Sequence, residues 1–236
     1  MLRATFLDLM KAQEATLTAI ACAARDLHDS VNQKYNATLP YGYHLDMVAR
    51  YAQHVDGEPL ALMAALTLGD RSQLQSDLRD PFARSGVSHV LALSGLHLSL
   101  LFGAYFHDSI EDARLSYNDV TRRAAAFMND AQAYMAAEIV YALTNDKGRT
   151  RSERAGERYY AGIRATPYAP FVKLCDRAAN TAFSARAADG GNSRMSKIYA
   201  NEWPHFLAAI RVDRPADVRF TLPTALIAHV EGLMRR

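Results

Sequence analysis

Between Ser85 and Phe106 the chain runs for 22 residues without an Asp, Glu, Lys or Arg. A stretch this apolar has to leave water, either inside a protein core or in a bilayer. It approaches the length of a membrane span, but it also carries two histidines, four serines and three glycines. The expected form is a buried helix broken near Gly95, with a membrane span as the alternative. A core to receive it is available, because half of the 236 residues are hydrophobic. That supports one sizeable core or two small ones.

Other segments show helical spacing. Leu7, Met10, Leu17, Ile20, Ala24 and Leu27 form one apolar stripe within residues 4–31. Pro40 and Gly42 punctuate a loop, after which a helix is expected from His44 to about His54. Asp56-Gly57-Glu58-Pro59 breaks it, and Ser72–Arg84 reads as a charged surface helix. Asp119–Leu143 reads as one helix or a broken pair, and Thr144–Gly156 as a basic loop leading into a helix. Trp203–Ile210 and Leu222–Met234 read as helices, with a short extended piece at Val218–Thr221. Strand-like alternation is sparse, so the expected fold class is all-α.

Charge and cysteine usage narrow the function classes. Lys and Arg number 27 against 25 Asp and Glu, so the net charge of +2 gives no reason to expect a nucleic-acid partner. Cys22 and Cys175 cannot build a disulfide scaffold or a thiolate zinc site, which fits a reducing, cytoplasmic setting. Arg3, Asp8, Lys11 and Glu14 interrupt the first apolar runs, so no signal peptide is expected.

Chemistry concentrates in a few polar residues. His44, the adjacent pair His107-Asp108, and Asp176 together offer imidazole nitrogen and carboxylate oxygen. That donor set suits manganese, magnesium, iron, cobalt or zinc. A divalent ion there lowers the pKa of bound water and polarises a phosphoryl oxygen. Spacing alone favours a plainer reading of His107-Asp108, as a helix cap or a satisfied buried pair, and His28-Asp29 shows that such pairs recur. Glu111 and Asp112 follow Asp108 by three and four residues, which on a helix places them on its face. They could then assist proton transfer, or simply be a solvated face. Lys147, Arg149, Arg151 and then Arg154 form a cationic run suited to phosphate or, equally, to solvent.

These positions resemble the HD-domain metal-dependent phosphohydrolases, in the branch that includes guanosine tetraphosphate hydrolases. The resemblance rests on Pro40-Tyr41-Gly42-Tyr43-His44, His107-Asp108, Glu111-Asp112, and Leu174-Cys175-Asp176-Arg177-Ala178-Ala179-Asn180, in that order. It spans roughly residues 25–55 and 105–210. It implies an HD-type helical bundle over 1–236 holding one divalent ion, manganese before the others, on His44, His107, Asp108 and Asp176. It gives Glu111 and Asp112 the catalytic role of activating water or protonating the leaving group. It makes Asn180 and Lys34 nucleotide contacts, with Lys147, Arg149 and Arg151 suited to the phosphates. The implied substrate is a small-molecule nucleotide or nucleotide pyrophosphate, with guanosine tetraphosphate, losing its 3′-pyrophosphate, as the specific form.

His44 and His107 are 63 residues apart, a much longer separation than that family shows. The excess, at about 57–104, has its own resemblance. Leu66-Thr67-Leu68-Gly69-Asp70-Arg71-Ser72 and Ser88-His89-Val90-Leu91-Ala92-Leu93-Ser94-Gly95-Leu96-His97 are similar to the membrane-channel family for DNA uptake in competence. The expected architecture is therefore an HD-type domain interrupted by a partly apolar insertion, with junctions near Gly57 and Gly103. Transport is not expected from a chain holding that fragment alone, and neither is stable membrane insertion. Two alternatives stay open: a helical protein that binds nucleotide without turnover or is purely structural, and a protein that associates with membranes through the insertion.

Overall fold

The structure, a computed structural model, describes residues 2–35, 39–53, 96–145, 150–186, 193–213 and 217–235. Within these, the side chains of residues 2–13, 96, 97, 151, 152, 193 and 218 are left out of the description. The described residues are helical, with a lone antiparallel bridge between Lys34 and Pro40. In chain order the helices are α1 (Leu2–Ser30), α2 (Gly42–Gln53), α3 (Leu96–Phe106), α4 (Tyr117–Ala124), α5 (Asp130–Leu143), α6 (Arg151–Arg154), α7 (Glu157–Ala165), α8 (Ala169–Arg186), α9 (Ser193–Ile210) and α10 (Thr224–Met234).

The charge-free stretch explains the layout. Its second half is α3, and Ser99–Phe106 are buried throughout. A helix apolar on every face has to be covered on every side. Leu100, Leu101 and Ala104 enter a core with Ile139, Ile163, Leu174, Phe206 and Ile210. Phe102, Tyr105 and Phe106 enter a second core with Ile20, Ala24, Leu45 and Val120. Burying each large side chain contributes roughly 1.5–3 kcal/mol, so α3 is a principal source of cohesion between the two. The expected junction near Gly103 falls inside this continuous helix.

Helix α8 is the other central element. Leu174, Cys175, Ala178 and Ala179 are fully enclosed, and the helix packs on α2, α9 and α10. Tyr168 starts it from a left-handed conformation at φ 66°, with its N–H donating to the Arg219 carbonyl at 2.8 Å. Arg25 of α1 pairs with Asp46 of α2 at 2.6 Å.

Several expectations are narrowed or change in detail. For Asp119–Leu143 the broken pair, one of the two expected forms, holds, because Ser116 with Asp119 and Asn129 with Gln132 each form a capping box that starts its own helix. Val218–Phe220 is a 3-10 turn rather than an extended piece. Residues 107–112 are successive turns, so Glu111 and Asp112 do not ride on a helix with Asp108. Of the α1 stripe, Ile20, Ala24 and Leu27 are buried, while the side chains of Leu7 and Met10 lie outside the described residues. Residues 57–95 of the expected insertion, including Ser72–Arg84, also lie outside them.

Candidate metal centre and cavity

The four predicted ligands meet. His44 comes from the first turn of α2, His107 and Asp108 from the turn after α3, and Asp176 from the middle of α8. Donor atoms of His44, His107 and Asp108 all lie within 4.8 Å of one another. Asp176 Oδ1 is 3.3 Å from His44 Nε2 and 3.9 Å from His107 Nε2. Both imidazoles are buried, at 1% exposure each.

The donor set fits a cation on its own geometry. His107 Nδ1 lies 2.9 Å from the Ala104 carbonyl, an acceptor, so Nδ1 carries the proton. In the neutral ring Nε2 then presents a lone pair. That nitrogen is 3.0 Å from Asp108 Oδ2, but among the described residues it has no partner with hydrogen-bond geometry. A buried lone pair facing two carboxylates needs a proton or a metal ion between them. Burial drives the His107 pKa down, yet Asp108 and Asp176 outweigh it and hold the ring up at about 9. Burial would raise the two carboxyls; instead His107 holds Asp108 well below its usual range, and Lys173 with the two histidines does the same for Asp176.

A further layer fixes these ligands. The Tyr41 hydroxyl donates to Asp108 Oδ2. Lys173 Nζ donates to Asp176 Oδ2 at 2.9 Å, and Asn180 Nδ2 donates to Asp176 Oδ1 at 2.6 Å. Burial lowers the Lys173 pKa, but Asp176 more than compensates, so the ammonium stays charged. The Tyr35 ring stacks on His44 at 4.7 Å, and its hydroxyl donates to Asn180 Oδ1 at 3.2 Å. Oriented partners of this kind hold metal ligands in place.

A cavity of about 590 Å³ opens beside the centre. Asp108, Glu111, Asn145, Asp176 and Asn180 form its acidic and amide wall. Arg154, Lys173 and Arg177 supply cations, and Tyr159, Tyr160, Tyr199 and Phe206 supply aromatic surface. Arg177 is tied to Glu202 at 3.0 Å and lies over the Tyr199 and Phe206 rings at 4.7 and 4.4 Å.

The remaining predicted residues divide. Glu111 and Asn180 line the cavity, whereas Asp112 and Lys34 are not on its wall. Lys34 is exposed. Burial, then the charges of Asp108 and Glu111, push the Asp112 carboxyl up to about 6. Lys147 and Arg149 lie outside the described residues, as does the side chain of Arg151. Lys173 and Arg177 join the site without being predicted for it: Arg177 follows Asp176 in the quoted motif, and Lys173 immediately precedes that motif. Their spacing was the available signal. Tyr41 stands in the motif around His44, but its contact with Asp108 is tertiary, as is that of Asn145 with Glu111.

A family model described as Competence protein matches residues 66–127, about a quarter of the chain. The match includes the stretch that resembles competence channels and continues past Leu101 through α3, the turns at 107–112 and α4. No curated protein and no solved structure matches the chain. Among the described residues no helix is long and apolar enough to cross a membrane.

Proposed function

We propose that the chain is a divalent-metal-dependent phosphohydrolase acting on a nucleotide or nucleotide pyrophosphate, guanosine tetraphosphate being the specific form. One observation carries the reading: His44, Asp108 and Asp176 converge on His107 Nε2, a buried nitrogen with no hydrogen-bond partner among the described residues, beside a cavity lined also by cationic side chains and aromatic rings. His44, His107, Asp108 and Asp176 would hold the ion, which supplies Lewis-acid polarisation of the phosphoryl oxygen and acidifies water. Lys173 and Arg154 face the cavity where the remaining phosphate charge would lie. Tyr159, Tyr160 and Phe206 offer apolar surface for the rest of the substrate. Glu111 takes a proton from the attacking water as its oxygen bonds to phosphorus, and the bond from phosphorus to the leaving oxygen breaks with its electron pair on that oxygen.

The test is metal content and hydrolysis together. Purified protein should hold one manganese or related ion and release phosphate or pyrophosphate from guanosine tetraphosphate. Asp108→Ala should lose both properties while keeping the helical circular dichroism spectrum. A folded protein that binds no divalent ion, or an Asp108→Ala variant as active as the parent, refutes the proposal.

A second reading, membrane association through the inserted segment, is favoured by the match to the Competence family. Co-sedimentation with anionic lipid vesicles decides it, since a purely aqueous enzyme stays in the supernatant.

A further inference from the structure

We infer that Asn145 is a positioning residue that fixes the carboxylate of Glu111 on the cavity wall. The geometry begins at the end of α5. Leu143 is its last residue, and Thr144 turns into an extended conformation at ψ 122°. The Thr144 hydroxyl donates back to the Val140 carbonyl at 3.0 Å, and the Tyr159 hydroxyl donates to the Leu143 carbonyl at 3.1 Å. The chain therefore leaves the helix at a defined angle, and the Asn145 N–H is released from the helical ladder. That N–H donates to Glu111 Oε1 at 2.5 Å, and the Asn145 amide Nδ2 donates to Glu111 Oε2 at 3.0 Å. Two donors from one residue thus hold both oxygens and set the plane of the carboxylate.

The fork matters because, among the described residues, no neighbour of Glu111 in the turns performs the same task. Glu111 sits in the turns after α3, not on a helix, so its own backbone does not aim it. Asn145 is 34 residues further along and belongs to a different element. Both side chains line the cavity beside Asp108 and Asp176, whereas the neighbouring Asp112 does not. Each carboxylate oxygen accepts one bond from Asn145 and keeps a second lone pair for a water proton. Asn145 thereby selects which member of the Glu-Asp pair faces the reacting phosphate. This inference rests on the hydrolase reading, so its test has to separate the two.

Asn145→Ala keeps the backbone donor and removes the amide. With guanosine tetraphosphate and manganese, kcat should fall about 10-fold or more, as for a misplaced catalytic group, with KM and manganese content within about twofold of the parent. Asn145→Asp, which sets a carboxylate against a carboxylate, should fall further. Glu111→Gln combined with Asn145→Ala should be no slower than Glu111→Gln alone, because the fork then has nothing to aim. A purely structural role would instead give additive losses. In the metal-free protein the carboxyl carbon resonance of Glu111 should move in Asn145→Ala, a readout that needs no turnover. An unchanged kcat, additive losses, or an unmoved resonance in either Asn145 variant overturns the inference alone. A parent protein that binds manganese and hydrolyses nothing overturns the hydrolase reading and the positioning role with it, while the resonance still reports the contact.

Discussion

His28 is fully buried, and among the described residues neither of its ring nitrogens has a hydrogen-bond partner. Its ring lies 4.9 Å from that of Tyr41, whose hydroxyl holds Asp108. Burial pushes its pKa down from 6.5 to about 4, with the charge of Asp108 pulling weakly the other way. A histidine with a depressed folded pKa favours the folded state above its unfolded value and opposes it as pH falls. The unfolded chain therefore takes up a proton near pH 6.5 that the folded chain refuses until about pH 4. At pH 5 this amounts to on the order of 2 kcal/mol of lost stability. Asp112 works in the opposite sense over part of this range. Its folded pKa is raised from 3.8 to about 6, so the stability it contributes is present below pH 3.8 and is lost as pH rises through 6. His28→Leu isolates the first effect. Denaturant titrations of the metal-free protein should show a smaller drop between pH 7 and pH 5 in the variant than in the parent. Equal drops would mean that His28 charges without resistance.

The apposition of α3 and α5 depends on one residue without a side chain. A Cβ placed on Gly103 would sit 2.6 Å from Cγ2 of Ile139, a fully buried and β-branched neighbour that cannot swing aside. Gly103→Ala should therefore cost about 1–3 kcal/mol of unfolding free energy in urea. Combined with Ile139→Ala, which opens the space, the two losses should sum to less than their separate values. Additive losses would show that the helices part rather than compress. Much of this element layout was legible in the sequence. The spacing of Ile20, Ala24 and Leu27 gave α1, and a charge-free run with no polar face gave a helix that had to be covered on all sides. The separation of α4 from α5 is one of the two readings the sequence allows for Asp119–Leu143, and Ser116 with Asp119 and Asn129 with Gln132 decide it. The turns at 107–112 were not legible, because the same residues read equally well as another helical turn. The four centre residues were identifiable through ordered motifs. The contacts that aim these and the neighbouring carboxylates were not: Tyr41, itself in a quoted motif, reaches Asp108 across 67 positions and Asn145 reaches Glu111 across 34, and no local pattern records such a contact.

At the scale of the molecule the centre ties together parts of the chain that have little sequence proximity. His44 is contributed by α2, His107 and Asp108 follow α3 inside the stretch similar to the Competence family, and Asp176 comes from α8. Without a cation, the approach of Asp108 and Asp176 to His107 is held by protonation of that ring and by Lys173. A cation bound by all four donors acts only on the folded arrangement, because the unfolded chain scatters them. Its binding free energy is therefore added to the stability of the whole molecule. At free manganese one hundred times its dissociation constant this amounts to about 2.7 kcal/mol, a rise of several degrees in Tm. The dependence on individual residues separates a shared centre from surface binding. The parent should gain thermal stability with manganese and lose the gain on adding a chelator. His44→Ala and Asp176→Asn, at opposite ends of the sequence, should both fail to respond. Gly103→Ala should melt lower than the parent yet still respond, since its strain lies between α3 and α5 and leaves the four donors intact. A response that survives in His44→Ala or Asp176→Asn would place the ion elsewhere and leave the four-donor centre without its role.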